Sequence, residues 1–404
     1  MKQRPMEGIR IVECGLYHAG PGGTAILGDL GAEVIKVEPP GTGDPLRTLM
    51  QVGSIPFELP GNRTLFCEGA NRSKKSVTLD LKTEKGREIL YRLVQKADVF
   101  MTNMRVKALE ELKITYPVLK KHNENLIYAS VSAFGRKGPE KDNGGFDYQG
   151  QAKSGLMYAV GEPGAPPLAS QFGLADQVTA IMTSHQILTA LLMRERTGIA
   201  QEVHVSILSA SMYLNYFNLL IPLLAGFEVP RHKRSIEHPM RNYYQCGDGK
   251  WIMLTLTPPD RHWGPLCRAL GRPELEHDPR FNTDHKRAEN SELLVGIMDD
   301  IFATKPRDVW VEEFRGYDLF CCGVNTNMEV AGDPQVLANE YLRELDHPTL
   351  GRVKFPGYPV HFSESWAGTL SATPDLGAHT HEVLTEIVGI SREELTRLKE
   401  EGVI

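Results

Sequence analysis

The sequence predicts an α/β protein: a large domain built on a Rossmann-like parallel sheet, joined to a smaller α/β domain. Three observations carry this. In the first half, short apolar runs alternate with helical patterns of ~10–15 residues, as βαβ units with a sheet covered on both faces require. The first run leads into a glycine turn in which Gly20, Gly22 and Ala25 read G-x-G-x-x-A, the kind of turn that starts a doubly wound fold. Near residue 228 the character changes to VPRHKRSIEHPMRN, followed by YYQCGDGKWIML, a hairpin signal with Asp248-Gly249 in the turn.

Taken in order, GIRIVEC is a strand and Gly22–Leu30 a helix, with Pro21 at the helix start where a missing N–H costs nothing. AEVIKVE is the second strand, ended by Pro39-Pro40, and a polar loop runs to about residue 75. SVTLDL is a strand, Glu84–Lys96 an amphipathic helix, DVFMTN a strand, Ala108–Lys121 a helix and LIYASVSAF a strand. Residues 135–172, rich in Gly, Pro and Lys, read as loop. A long helix follows from Leu174 to about Glu195, with Gly198 as its left-handed cap. A second helical stretch begins near Ser206. These runs give three segments: a large domain over 1–227, a small α/β domain over 228–330, and a C-terminal segment over 331–404 that returns to the large domain and ends in two short helices.

Composition narrows the function. Of 404 residues, 41% are hydrophobic and 24% charged, with a net charge of −6; lacking a basic block, the chain is not expected to bind nucleic acid. The six cysteines include no C-x-x-C, the thirteen histidines are scattered, and H-E-x-x-H is absent, so no metal site is expected. No signal h-region opens the chain, and its most apolar stretch, Leu214–Phe227, contains Asn215 and Asn218 and is too short for a bilayer. A reducing, cytoplasmic location without membrane partners is expected.

Parallel sheets bind ligands at the carboxyl ends of their strands, here after Cys14, Glu38, Asn103 and Phe134. With Glu38 ending the second strand, the Gly20 turn has the outline of a dinucleotide fingerprint, which leaves an NAD-dependent oxidoreductase open; a plain strand-to-helix turn explains the same residues. Two features weigh against NAD: alanine holds the third glycine position, and Glu-Pro-Pro-Gly-Thr-Gly-Asp follows the second strand. Read alone, Asp176 in the first turn of the long helix complements the helix dipole.

Along nearly its whole length the chain resembles the class III CoA-transferases, the family of formyl-CoA:oxalate and carnitine CoA-transferases. The segments that carry the resemblance are AGP (19–21), LGAEVIKVEPPGTGD (30–44), NRSKKSVTLDLKTEKGRE (71–88), ADVFMTNMR (97–105), NLIYASVSAFGRKGP (125–139), GFDYQGQAKSG (145–155), ALLMRERTGIAQEVHVSI (190–207), the DGKW hairpin, GDPQVLANEYL (332–342) and PDLGAHTHEVL (374–384). Their order and spacing are the signal.

The resemblance implies that Asp176, in FGLADQVTA, is the nucleophile that attacks an acyl-CoA thioester, kept ionised by the helix N-terminus and partly dry by Leu174 and Ala175. It implies coenzyme A as a substrate with no prosthetic group, and a CoA site at His18, Ala19, Pro39, Leu79, Asp80, Leu81, Lys82, Asn103, Met104, Arg105, Gly144, Gly145, Phe146 and Asp147. This chain has His18 where a formyl-CoA transferase has glutamine, Pro39 in place of an arginine against the adenine, and Glu111 in place of a phosphate-binding arginine. Arg105 is the expected phosphate partner, with Lys82, Lys74 and Arg72 supplying further charge. The resemblance also implies an intertwined dimer, with itself or with a related chain.

The α-methylacyl-CoA racemases share this fold but need a histidine in G-H-D-x-x-Y, and the segment here reads Gly145-Phe146-Asp147-Tyr148-Gln149. Phenylalanine is no base, so CoA transfer is expected over racemisation. A non-catalytic CoA-binding subunit is the third reading, and the presence of Asp176 speaks against it. Tyr148, Met157, Tyr158, Tyr243 and Tyr244 read either as core or as aromatic walls of an acyl pocket, and Arg241, His238 and Lys250 as holders of a second carboxylate. The favoured acceptor is an aromatic or aliphatic dicarboxylate of the benzylsuccinate type, taking CoA from succinyl-CoA.

Overall fold

The computed structural model describes residues 3–404. The chain divides into two units: one runs to Tyr158 and adds Leu168–Gly226 and Glu340–Ile404, and the other holds Ala159–Pro167 and Phe227–Asn339.

The first unit is built on six parallel strands: β1 (Arg10–Cys14), β2 (Glu33–Glu38), β3 (Lys74–Thr78), β4 (Val99–Thr102), β5 (Ile127–Ser132) and β6 (Glu202–Ser206). Their order across the sheet is β6-β5-β4-β1-β2-β3, the doubly wound order in which the chain reverses direction between β1 and β4. Neighbouring residues point to opposite faces, and both faces are apolar. Val12, Ile35, Phe100 and Tyr128 enter one core, and Ile11, Val34, Val99 and Ile127 the other. The first core is closed by α3 (Glu84–Val94) and by the chain's end, where Val383, Leu384, Leu395, Leu398 and Val403 pack against the strands. The second is closed by α1 (Pro21–Asp29) and the long α7 (Leu174–Thr197), through Leu27, Ile187 and Ala190.

Where α1 crosses α7 the helices approach closely. A β-carbon on Gly23 would lie 2.6 Å from Thr183 Cβ and 2.8 Å from the Ala180 carbonyl oxygen. Backbone cannot yield as a flexible side chain can, so Gly23→Ala is expected to cost about 1–3 kcal/mol, read as a lowered thermal midpoint.

Beneath α1 lies a buried ionic cluster. Glu13 on β1 accepts from Lys36 on β2 and from Lys74 on β3, both at 2.7 Å, and Lys36 also reaches Asp44 at 2.9 Å. All four side chains are at most 4% exposed. Asp44 further accepts from the Tyr17 and Leu46 amides, so the cluster ties the turn after β1 and the loop after β2 to the sheet.

Several elements differ from the sequence expectation. The helix expected over 108–121 is two, α4 (Val106–Glu111) and α5 (Tyr116–Leu119), because Lys113 takes a left-handed φ of 56° and Pro117 opens a new turn. The polar loop before residue 75 contains α2 (Leu65–Asn71), capped by the Thr64 side chain. The loop expected over 135–172 contains α6 (Asp147–Lys153). Strand β6 was not expected; it pairs with β5 from Glu202 to Ser206 and completes the sheet. The second helical stretch bends into α8 (Ile207–Leu214) and α9 (Tyr216–Ala225). No single helix among the described residues is long and apolar enough to cross a membrane; α8 and α9 pass that test only together, bent by 78°.

The second unit holds an antiparallel sheet of β7 (Tyr243–Gln245), β8 (Trp251–Leu254) and β9 (Cys321–Val324). The expected hairpin forms with Tyr244 opposite Ile252. Tyr244, Phe302, Trp310 and Phe314 are the aromatic centre of its core.

Candidate active site

The G-x-G-x-x-A turn does not offer a dinucleotide site. The first amides of α1 are already taken: Gly22 N–H donates to the His18 carbonyl at 2.7 Å and Gly23 N–H to that of Gly20 at 2.9 Å. At the reversal between β1 and β4, Asn103 bonds both ways to Leu16, accepting from its N–H at 2.8 Å and donating to its carbonyl at 2.6 Å. Glu38, which would hold a ribose, is 1% exposed and bonded to Arg47 and Ser76. Burial alone raises its pKa, but Arg47 and Lys36 outweigh it and hold the carboxyl at about 2.

A different arrangement stands at the entrance of α7. Gly173 precedes the helix at φ 84°, a left-handed conformation that a side chain disfavours, and contributes no cap. The cap comes from α6. Asp147, its first residue, turns one carboxylate oxygen to the amides of Ala175 (2.6 Å) and Asp176 (3.1 Å). Its other oxygen accepts from Gln151 at 2.7 Å, and Gln151 is fixed in turn to the backbone of Ser170.

Asp176 is partly buried, and among the described residues its carboxylate receives no hydrogen bond. Burial first, and the charge of Asp147 second, push its pKa up to about 7. This corrects the expectation that the helix terminus keeps Asp176 ionised: the terminal amides belong to Asp147. Ala175 is buried as expected, whereas Leu174 is exposed.

His18 reaches the next residue of α7, its Nε2 lying 2.7 Å from Gln177 Oε1. Burial lowers its pKa; Arg72 and Lys74 act in the same direction, while the Gln177 hydrogen bond and Asp147 oppose. These shifts favour the neutral imidazole. Ala19 is buried and its carbonyl accepts from Thr183. Phe146, 58% exposed, meets the edge of Tyr17 with ring centres 5.4 Å apart. The structure thus gathers His18, Ala19, Phe146, Asp147 and Asp176 around one helix end, with Tyr17, Gln151 and Gln177 as members that sequence reasoning missed. The Asp147–Gln151 spacing of four was the available signal.

Beside this site an open groove of about 610 Å³ is lined by Phe134, Glu140, Asn143, Gly144, Gln149, Ala152 and Lys153. The Arg105 guanidinium lies against Gly144, where any β-carbon would collide with it. Arg105 is exposed, and among the described residues its side chain has no hydrogen-bond or ion-pair partner. Gly145 adjoins the ring of Phe134, and Met104 packs at the edge of the core.

At the ends of β2 and β3, Pro39 and Lys82 are exposed, Leu79 is buried in the core, and Leu81 packs against it. Asp80 accepts from the Lys82 amide at 3.0 Å. Two further cations are not available: Arg72 pairs with Asp29 and Lys74 with Glu13. Glu111 ends α4 and is exposed. In the second unit, Tyr244 is buried and donates to the Pro239 carbonyl, His238 pairs with Asp284 at 2.9 Å and Lys250 with Glu329 at 2.8 Å. Of the three expected holders of a second carboxylate, Arg241 alone has no side-chain partner among the described residues. Tyr148, Tyr158 and Tyr243 are exposed, and Met157 is half-buried.

The chain matches the model of CoA-transferase family III over residues 6–380. It is 33% identical over 408 residues to an acyl-CoA transferase of Fusarium pseudograminearum, covering 100% of this chain and 89% of the relative. It is 31% identical over 411 residues to succinyl-CoA–D-citramalate CoA-transferase of Chloroflexus aurantiacus, covering 99% and 98%. The crystal structure of a CAIB/BAIF family protein from Brucella suis superimposes with a TM-score of 0.85 at 30% identity, covering 95% of this chain and 100% of that one.

Proposed function

This chain belongs to CoA-transferase family III and is a class III CoA-transferase, and from that premise we propose that Asp176 carries CoA from succinyl-CoA to a carboxylic acid through covalent intermediates. The observation behind this is the Asp176 carboxylate itself: unbonded, partly buried and raised to about 7, it is ionised in a useful fraction at neutral pH yet more basic than an ordinary aspartate, as a nucleophile should be.

Four displacements follow. An Asp176 oxygen attacks the acyl-CoA carbonyl carbon; the C–S bond breaks, CoA leaves as thiolate, and an aspartyl anhydride remains. The thiolate attacks the aspartyl carbonyl and expels the donor as carboxylate, leaving Asp176 as a CoA thioester. The acceptor carboxylate attacks that thioester, releasing thiolate and forming a second anhydride. The thiolate then attacks the acceptor's acyl carbon and frees the Asp176 carboxylate. Each step exchanges one nucleophile for another, so no proton is consumed and the thioester's energy is kept from water. Coenzyme A enters as substrate, and no prosthetic group is needed.

The exposed groove beside Arg105 and Gly144 is our choice for the CoA arm, with Arg105 on a phosphate. The choice of donor draws on relatives named for succinyl-CoA. Phe146 and Tyr17 would wall an apolar acyl pocket, which supports an aryl-bearing dicarboxylate of the benzylsuccinate type as acceptor. An exchange screen tests this: the enzyme is mixed with succinyl-CoA and a panel of free acids, and new acyl-CoA species are read by mass spectrometry. Transfer to aryl dicarboxylates ahead of short aliphatic acids is expected; preference for the short acids would remove the aryl assignment.

With Phe146 at the racemase histidine's position, a 2-methylacyl-CoA should acquire no deuterium at its α-carbon in deuterated water, while CoA passes to an added acid in the same tube. Deuterium incorporation at turnover rate without transfer would contradict this.

The assembly we propose is an intertwined dimer, with an identical or a related chain, working in a reducing cytoplasm. Support comes from α9, which has no buried residue and presents Phe217, Leu223 and Leu224 at 76–80% exposure, an apolar face too large to leave in water. Sedimentation at micromolar concentration should give a dimer or larger; a monomer would contradict it.

A further inference from the structure

We propose that Asp147 is the positioning residue of this site: by taking the Ala175 and Asp176 amides it withholds the helix terminus from Asp176, leaving that carboxylate unbonded beside a like charge and therefore more reactive. The inference rests on the reading of Asp176 as nucleophile and adds what sets its reactivity.

An aspartate in the first turn of a helix ordinarily gains from the terminal N–H groups and becomes a weaker base. Here those groups are claimed by a carboxylate 28 residues earlier in the chain. A cap alone does not call for this arrangement. An uncharged acceptor at the same place would satisfy the same amides without electrostatic cost, whereas Asp147 is itself 8% exposed and bonds the amide of a residue whose own carboxylate its charge disfavours. Its own geometry is fixed by Gln151, and Gln151 by Ser170, so the donor pattern keeps Asp147 an acceptor on both oxygens.

Other elements packed on α7 bring no competing charge. On α1 the one ionisable side chain is Asp29, paired with Arg72. On β6, Glu202 pairs with Arg136, while His204 lies 3.0 Å from Ser132 and burial lowers its pKa to about 4. Neighbouring β5 carries Tyr128, bonded to the Ile114 carbonyl, and α8 carries only Tyr213. His18, from the turn after β1, favours its neutral form and is bonded to Gln177.

The test compares wild type with Asp147→Asn, Asp147→Ser and Asp147→Glu in pH profiles of kcat/KM for CoA exchange. Removing the charge is expected to move the acid limb of the profile toward lower pH by about one unit, and to slow exchange above pH 8 because the nucleophile is less basic. The glutamate variant should keep the wild-type limb. Asp176 is followed in parallel by carbon-13 NMR of the aspartate carboxyls, its signal assigned by loss in Asp176→Asn, a readout that needs no turnover. A folded neutral variant whose limb and Asp176 titration both stay at the wild-type position would overturn the proposal and leave Asp147 a cap only. So would an Asp176 in the wild type that titrates in the ordinary carboxylate range. Exchange that persists in Asp176→Ala would instead overturn the nucleophile assignment.

Discussion

Asp176→Asn is expected to lower CoA exchange by at least ~10³-fold, the scale on which loss of a covalent nucleophile is felt, and at the same time to make the protein more stable. The two effects share one cause. The carboxyl has a folded-state pKa of about 7 against ~3.9 in an unfolded chain, so the fold disfavours its charged form. A raised acid pKa penalises the folded state increasingly as pH climbs from the unfolded value to the folded one, and fully above it. The amide variant escapes that penalty. Its thermal midpoint should match wild type below pH 4, rise relative to it between about pH 4 and 7, and then hold a constant lead worth about 1–2 kcal/mol once partial exposure is allowed for. In the wild type the same titration makes exchange increase with pH through about 7. A variant that exchanges at wild-type rate would end the assignment, and one equally stable at pH 8 would show that Asp176 carries no such penalty.

The second large effect concerns the buried cluster under α1. Glu13→Gln removes the carboxylate that neutralises two lysines, Lys36 and Lys74, each 2.7 Å from it. Lys36 would retain Asp44, but Lys74 would keep only the Pro21 carbonyl and the Asn71 side chain. Burial already brings the Lys74 pKa down to about 8, with Glu13 as its principal opposing charge. Breaking a buried pair from one side typically costs about 3–5 kcal/mol, roughly 10 °C in a unit of this size. Adding Lys74→Met should recover much of the loss, since it removes the stranded ammonium. A single variant that melts within a degree or two of wild type would refute the account.

Much of the sheet was legible because its strands are buried on both faces: Ile11-Val12, Val34-Ile35 and Val99-Phe100 each feed both cores, which leaves continuous apolar runs in the sequence. β6 escaped notice because Glu202-Val203-His204-Val205-Ser206 is short, has only two apolar residues and runs straight into the helix that begins at Ile207. The split after α4 depends on a left-handed Lys113, which no local pattern announces. Glu38 misled because an acid at the end of a second strand has the same appearance whether it faces a ribose or Arg47. Asp176 stood out through the family resemblance alone. The cap that Asp147 places on α7 spans 28 residues and could not be read from any window of sequence.

The closing of the first core by residues 383–403 has a consequence for how the protein is made. Strands β1 to β5 are complete by residue 132, yet the core of Val12, Ile35, Phe100 and Tyr128 is completed, beyond α3, by Leu384, Leu395, Leu398 and Val403, and the Asp80 amide is bonded to the Val403 carbonyl. On the ribosome, at ~5–20 residues per second, the chain emerges with that apolar face covered only in part, by Ile89, Leu90 and Leu93 of α3, until residues 383–403 follow. Nascent chains should therefore lean on chaperones until residues 383–403 are made, and a stop before Leu384 would release a polypeptide with part of this core open, prone to aggregation or proteolysis.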